Sequence, residues 1–323
     1  MNDEVIVISF SETVRSETLN VHLISLQNEN SSELATQTYT LGSDILTRTY
    51  DGPTDILTIK LGRDDLNVIK FLAELAISNT TTYITAEPLS IMDMKSLALV
   101  GINTSNALQV SHFTPDEMPP LLRDYVLDLN LGCLHLTFVE TVNVTTLNYN
   151  GLILQVIPDL SVFDNTTGNS SNMTDIESSS GSGSGAPVDI TLYESCDILY
   201  FRLTGGYTLT PKNSPEVSFN FTWDDLNDIK RETCLGTVVS NTYVSIDVGT
   251  ILDMNENPIE EVDINSGKIA LSVIPDDTPP NLGSFDLNMT TEILTLYFDE
   301  TVDVETFDPQ RDHFLCLSSA APC

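Results

Sequence analysis

One strand-like phrase occurs three times in this chain, and it constrains the fold more than any other feature. The copies read "VIVISFSETVRSETL" from Val5, "CLHLTFVETVNVTTL" from Cys133 and "ILTLYFDETVDVETF" from Ile293. Each has apolar residues at every second position up to a phenylalanine and continues with Glu-Thr-Val. Because strand side chains point to opposite faces in alternation, each copy predicts a strand with one buried face that ends at a corner. Three copies indicate an internal repeat.

A longer unit surrounds the phrase. "DDLNVIKFLAEL" from Asp64 returns as "DDLNDIKRETCL" from Asp224, and "DEMPPLLRDYVLDLN" from Asp116 returns as "DDTPPNLGSFDLNM" from Asp276, each pair 160 residues apart. The first two copies of the strand phrase are only 128 residues apart, so the second unit carries 32 extra residues. These fall in a Ser/Gly/Asn/Thr-rich stretch, which predicts a flexible surface loop. We predict a first unit at 1–114 that lacks its first strand, a second at 115–275 with the insertion 163–188, and an incomplete third at 276–323.

The composition favours an all-β fold. Short runs rich in Val, Ile, Leu, Thr, Tyr and Phe alternate with Gly, Pro, Asn and Asp, which is typical of β-sandwiches, and 41% of the residues are hydrophobic. The two Asp-Asp-Leu-Asn segments differ, because their apolar residues recur at helical spacing and an Asp can cap the first turn. We therefore predict tandem sandwiches with one short helix per unit. No run approaches the length of a membrane span.

The order of the repeated motifs resembles a known family. D-x-x-PP-x-L-x-x-F-x-L, L-x-L-x-F-x-E-T-V, DDLN-x-IK, TY and DM together resemble tandem Ig-like β-sandwich repeats in large, mastigoneme-like extracellular proteins of algae and other protists. They are also similar to Ig-like domains of bacterial surface-layer proteins, except that the Asp-x-x-Gly-Asn turn of those domains reads "DMKSLA" at 93–98 and "DMNENP" at 253–258. The resemblance covers nearly the whole chain except residues 160–190. It implies Ig-like building material for cell coats, adhesins and flagellar hairs, with no catalytic residues.

The charge balance limits the partners. With 47 acidic against 13 basic residues, the net charge of −34 repels nucleic-acid phosphates and anionic lipid surfaces, so we expect neither nucleic-acid binding nor membrane insertion. The acids are scattered along turns, which indicates a solvated surface.

Calcium is the sharper alternative for the acids. Asp253, Asn255 and Asn257 offer side-chain oxygens within one turn, as calcium prefers. The equivalent turn of the first unit has Lys95 and Leu97 in place of the two asparagines, which favours a plain polar turn. We otherwise predict no cofactor.

Asn-x-Ser/Thr acceptors for N-linked glycans occur at nine positions, of which three crowd into the predicted loop. Glycans at these positions would coat the surface and shield strand edges. The predicted glycosylation sites are Asn30, Asn79, Asn103, Asn143, Asn165, Asn169, Asn172, Asn220 and Asn288.

The five cysteines cannot all pair within the chain. We predict a Cys196–Cys234 disulfide, and Cys316 can pair with Cys323 in a short C-terminal loop. Cys133 is then either a buried free thiol or pairs with another chain. Disulfides and glycans together place the protein outside the cell or on its surface.

An enzyme is not expected. The four histidines belong to no recognisable nucleophile or metal motif, and the chain has no Gly-rich phosphate loop. Asp299 and Glu300 are neighbours in sequence, so their side chains point to opposite faces of a strand and do not form a glycosidase pair. The acid that recurs as Glu12 and Glu140 is interpreted as structural, binding backbone amides at the corner. We place Trp223, at the start of a helix, in the core.

A structural or adhesive extracellular protein remains. We hypothesise a filament or coat subunit that assembles head to tail with copies of itself, with the third unit of one chain completing the first unit of the next by strand addition. The alternative is a calcium-dependent adhesion array on a cell surface. The absence of a secretion signal at Met1 favours a processed chain or a segment of a longer array, whose ends would then be arbitrary.

Overall fold

A computed structural model describes residues 4–42, 52–161, 196 and 198–308. The chain is mostly β, with 38% of residues in strands arranged in five sheets, which confirms the predicted β-rich class. The predicted insertion at 163–188, the acceptors Asn165, Asn169 and Asn172, and the cysteines Cys316 and Cys323 lie outside the described residues.

The first unit contains two small antiparallel sheets. One has the strand order β4-β1-β6 and the other the order β3-β2-β5-β7. Its elements are β1 (Val5–Arg15), β2 (Ile24–Gln27), β3 (Thr38–Thr40), β4 (Pro53–Lys60), helix α1 (Arg63–Phe71), β5 (Tyr83–Ala86), β6 (Met92–Asp93) and β7 (Leu108–Gln109).

The second unit repeats this plan with more strands. A six-stranded sheet has the order β12-β13-β9-β8-β17, with β15 paired to the end of β9, and a four-stranded sheet has the order β11-β10-β14-β16. Its elements are β8 (Leu122–Asp128), β9 (Cys133–Asn143), β10 (Leu152–Gln155), β11 (Tyr200–Arg202), β12 (Gly206–Thr208), β13 (Ser214–Phe221), helix α2 (Trp223–Arg231), β14 (Tyr243–Ile246), β15 (Leu252–Asp253), β16 (Lys268–Ile269) and β17 (Ser272–Ile274).

The third unit is described as a single hairpin of β18 (Leu282–Asn288) and β19 (Ile293–Phe298). In the second unit, the matching strands β8 and β9 also pair with each other, and β13 and β17 extend the sheet on both sides. The apolar residues Leu282, Phe285 and Leu287 of β18 are exposed, whereas their counterparts in β8 are buried.

Two separate clusters of buried apolar side chains hold the structure together. One is built from residues between Val14 and Ile91, the other from residues between Leu122 and Ala270. In the larger cluster, the Tyr125 hydroxyl donates a 2.8 Å hydrogen bond to the Thr242 carbonyl oxygen, so its polar end is paired within the core.

The corner that follows each repeated phenylalanine has the same backbone arrangement in both complete sheets. The pairing of β1 with β4 skips residues 10–13 and resumes at Val14, and the pairing of β9 with β13 skips residues 138–141 and resumes at Val142. Such a bulge turns the local backbone away from the ladder. We call residues 10–13, 138–141 and 298–301, each reading Phe-x-Glu-Thr, the three corners.

Both Asp-Asp-Leu-Asn segments form helices, but their first turns differ from the prediction. Thr222 caps α2 by accepting a 3.1 Å hydrogen bond from the Asp225 amide, and no aspartate acts as the cap. Asp225 instead accepts hydrogen bonds from Thr204 and Gly205, which ties the preceding loop to the helix. The prediction for Trp223 is wrong, because its side chain is exposed.

Candidate unit-junction site

The end of α1 meets the corner of the second unit through a lysine. The Lys70 ammonium donates a hydrogen bond to Glu140 and lies 2.5 Å from the Asp116 carboxylate, which belongs to the linker between the units. The three side chains are only 7%, 8% and 2% exposed, respectively. We call this arrangement of helix Lys, linker Asp and corner Glu the lysine socket.

A second lysine socket joins α2 to the third unit. The Lys230 ammonium lies 3.0 Å from the Asp276 carboxylate and 2.7 Å from that of Glu300. Every member is 160 residues beyond its counterpart in the first socket. This socket is more open, since the Asp276 side chain is 25% exposed. The two junctions therefore repeat one arrangement of charges at different depths.

The threonine of each corner adds a second contact to the preceding helix. The Thr141 hydroxyl donates to the carbonyl oxygen of Asn67, at 3.3 Å. At the other junction, the amide and hydroxyl of Thr301 lie 2.9 and 3.0 Å from Asn227 Oδ1. Asn67 Oδ1 is buried and has no hydrogen-bond partner among the described residues. Each helix end is thus held at two points, by its lysine and by its asparagine.

The charges in the first socket act on one another. Burial alone lowers the pKa of the Lys70 ammonium, but its hydrogen bonds to Asp116 and Glu140 outweigh that effect and raise the pKa above its usual value. Burial raises the pKa of the Glu140 carboxyl, and Lys70 offsets this only in part, because Asp116 and Asp253 add like charge. The socket therefore holds its lysine charged and carries an excess of acid.

The sequence prediction for the corner glutamate is wrong in its partner. Glu140 and Glu300 are structural, as expected, but they bind lysines from the preceding unit rather than backbone amides. The repeated "DDLN-x-IK" and "D-x-x-PP" motifs contain the lysine and the aspartate of each socket. Their shared 160-residue spacing with the corner was a signal that could have revealed these partners.

The predicted calcium turn lies beside the first socket. The ligand atoms of Asp116, Glu140 and Asp253 all lie within 4.8 Å of one another, so this buried group can in principle hold a cation. However, Asp253 Oδ1 accepts 2.8 Å hydrogen bonds from the amides of Asn255 and Asn257. The Asn257 side-chain amide donates to Asp253 Oδ2 and to the Asp116 carbonyl oxygen, at 2.9 and 3.0 Å.

Hydrogen bonds within the protein thus explain the position of the Asp253 carboxylate. In the first unit, Asp93 Oδ1 likewise accepts from the amides of Lys95 and Leu97, at 2.8 and 2.7 Å. The turn is therefore built in the same way with and without the asparagines. A calcium ion at the first socket would have to share the carboxylates with the Lys70 ammonium.

The predicted glycosylation sites within the described residues differ in exposure. Asn30, Asn79, Asn103 and Asn288 are exposed, whereas Asn143 and Asn220 are half-buried. The side-chain amide of Asn30 donates a 2.8 Å hydrogen bond to the Ala107 carbonyl oxygen, and a glycan on that nitrogen has to be accommodated beside this contact.

The structure contains the predicted disulfide between Cys196 and Cys234, with a Cα–Cα distance of 5.6 Å. It connects the segment before β11 to the end of α2. Cys133 is a buried free thiol, 3.2 Å from His135 Nε2, and burial raises its pKa. A buried thiol with a raised pKa is a poor nucleophile.

The Asp299–Glu300 pair is divided between two partners. The Asp299 carboxylate accepts hydrogen bonds from the backbone amide and the side-chain amide of Asn281, at 2.6 and 2.9 Å, and the backbone amide lowers its pKa. Glu300 turns to Lys230 instead. The two carboxylates therefore serve different contacts.

No family model, curated protein or solved structure matches this chain. Within the described segments, no helix has both the length and the apolar composition needed to cross a membrane.

Proposed function

We propose that this chain is a non-catalytic structural subunit of an extracellular, glycosylated filament or cell-surface coat, built from tandem Ig-like sandwich units that assemble head to tail. The observation that carries the proposal is the lysine socket, which joins α1 to the corner containing Glu140 and α2 to the corner containing Glu300. A junction made twice in the same way is what an elongated array requires, because each unit then takes a defined orientation on the one before it.

The chemistry of the socket favours a stiff junction over a flexible hinge. A buried lysine between two carboxylates loses much of its hydration, and moving the units apart leaves those charges unpaired. The linker aspartate and the corner glutamate bind the same ammonium, so the helix, the linker and the next sheet share one contact point. A flexible linker between independent domains would need none of these contacts.

Open strand edges support head-to-tail assembly by strand addition. From Val5 to Ser9, β1 pairs only with β4 among the described residues, whereas the matching part of β9 is flanked by β13 and β8. β18 has the sequence pattern of β8 and exposes its apolar residues. A β18-type strand from a neighbouring chain that pairs with this edge would bury apolar surface and satisfy the free edge.

The extracellular location rests on covalent chemistry. The Cys196–Cys234 disulfide is of a kind that persists in oxidising surroundings. Four of the acceptor asparagines lie exposed on the surface, namely Asn30, Asn79, Asn103 and Asn288. Glycans there and a net charge of −34 would keep a long polymer hydrated and limit side-by-side aggregation.

A calcium-dependent adhesion array is the second candidate. It is favoured by the close approach of Asp116, Glu140 and Asp253 at the unit junction, where a cation would stiffen the array. In that case the ion would compete with Lys70 for the same carboxylates.

Electron microscopy of native material, with and without a calcium chelator, tests both proposals. We expect unbranched filaments or a regular coat whose axial repeat is unchanged by the chelator. Isolated particles without end-to-end contacts would contradict the filament proposal. Filaments that bend or dissociate only after chelation would favour the adhesion array.

A further inference from the structure

The corner of the first unit is built like the other two but is bare. Its backbone leaves the ladder at residues 10–13, in the register seen at 138–141. Yet Glu12 and Thr13 are exposed, whereas Glu140 and Thr141 are buried. No ion pair involving Glu12 is found within the part of the chain that the structure describes.

The same chain shows twice what covers such a corner. At the second unit, the cover is the last turn of α1, with Lys70 on the glutamate and Asn67 on the threonine. At the third unit it is the last turn of α2, with Lys230 and Asn227 in the same roles. Both helices are therefore engaged within the chain.

We propose that the bare corner of the first unit is an interaction surface for the lysine-bearing helix end of another repeat unit of this type. Glu12 takes the position of Glu140 and Glu300, and Thr13 binds the helix asparagine. This inference rests on the proposed head-to-tail assembly and names its contact. The occupant is basic at the point of contact, which matches an acidic corner on a chain of net charge −34.

The second carboxylate of the new socket comes with the helix. Asp116 and Asp276 lie in the linkers that follow the units carrying α1 and α2, so the lysine reaches the corner already paired with its own linker aspartate. The accepting corner has to supply only the glutamate and the threonine. The first unit displays both residues, in the arrangement of the two filled corners.

A shortened chain ending at residue 281 provides the test. It lacks the β18–β19 hairpin, which uncovers Lys230 but retains Asp276. All fully buried members of both apolar clusters lie between Val14 and Ala270, so both cores remain. The shortened chain then has a free helix end and a free corner, and we expect it to self-associate in sedimentation velocity where the full chain does not.

Two charge reversals of the shortened chain identify the contact. Glu12→Lys should weaken the association at least about tenfold, because it places a second cation against Lys230. Glu33→Lys makes the same change of charge at another exposed position and should leave the association unchanged. A shortened chain that stays monomeric, or that associates equally with either reversal, would overturn the proposal.

Circular dichroism and an intact disulfide establish that the shortened chain is folded. If it is not, the full chain with Glu300→Lys replaces it, because like charges uncover Lys230, and the Glu12→Lys comparison is repeated there with the same criteria. The contact and the filament are tested separately. Association without native filaments contradicts only the proposed function, and native filaments without this association contradict only the contact.

Discussion

Lys70 and Glu140 belong to different repeat units, 70 residues apart in sequence, and their side chains form a hydrogen bond while only 7% and 8% exposed. A long-range ion pair at this depth is costly to form unless every charge has a partner. Here, Asp116 is the second partner of the lysine. The junction between the first two units is thus specified by charge as well as by shape.

Lys70→Met tests how much the junction contributes to stability. It keeps most of the side-chain volume and leaves Asp116 and Glu140 buried without their cation, so we expect the free energy of unfolding to fall by about 3–5 kcal/mol. Urea denaturation followed by circular dichroism measures the change. Lys230→Met is the matched comparison and should cost less, because Asp276 is 25% exposed and keeps part of its hydration. Equal losses would contradict the role assigned to burial.

Glu140 should make the stability of the junction depend on pH. Burial raises the pKa of its carboxyl above the ordinary 4.5, so the folded state favours the protonated form. Its contribution is therefore complete below about 4.5 and is lost as the pH rises through the folded pKa. Relative to Glu140→Gln, the wild type should lose stability as the pH rises from below 4.5 into the window above it.

Thermal unfolding across a pH series measures this difference. Glu12→Gln makes the same chemical change at the bare corner and should leave the wild-type profile unchanged. A wild type that gains stability over Glu140→Gln in that window would contradict the excess of acid assigned to the socket.

Leu127 and Leu287 occupy matching positions in β8 and β18, and they predict opposite mutational effects. Leu127 is 0% exposed, so Leu127→Ala should destabilise the second unit by about 2–5 kcal/mol through lost contacts and a cavity. Leu287 is 57% exposed, and Leu287→Ala should leave the main unfolding transition nearly unchanged. Chemical denaturation of the two variants decides it. A large effect of Leu287→Ala in dilute monomer would show that the hairpin packs against more of the chain than described.

Cys133 should resist alkylation while the protein is folded. Its thiol is buried and its pKa is raised, so both access and thiolate population are low. Mass spectrometry of peptides after iodoacetamide treatment should show an unmodified Cys133 in native protein and a modified one in urea. Peptide mapping separates it from Cys316 and Cys323. Rapid labelling in the native state would contradict the buried position.

Much of the fold follows from local pattern. The alternation before Phe138 identifies β9, and the break at Glu-Thr-Val marks the point where its pairing with β13 skips residues. The spacing of Leu226 and Ile229 identifies α2, because apolar residues three apart share one helix face. These features depend on neighbours in sequence, which a single chain displays directly.

The socket was missed because its members are far apart in sequence and look ordinary on their own. A lysine in the last turn of a short helix is normally solvated and favourable to the helix dipole, so Lys70 gave no signal of burial. Trp223 failed for the opposite reason, since its size suggests a core that the start of α2 does not provide. Only the common 160-residue offset of lysine, aspartate and glutamate connects the three.

Each helix end in this chain is covered by the unit that follows it, never by its own sheet, so neighbouring units share part of their folding free energy. The first unit completes its last contacts only when the strand containing Glu140 has been synthesised and folded, and the second unit depends in the same way on Glu300. Loss of the terminal hairpin uncovers Lys230 and leaves Lys70 in place. Damage at that end should therefore travel inward one unit at a time, in the nearest-neighbour manner of a one-dimensional cooperative lattice.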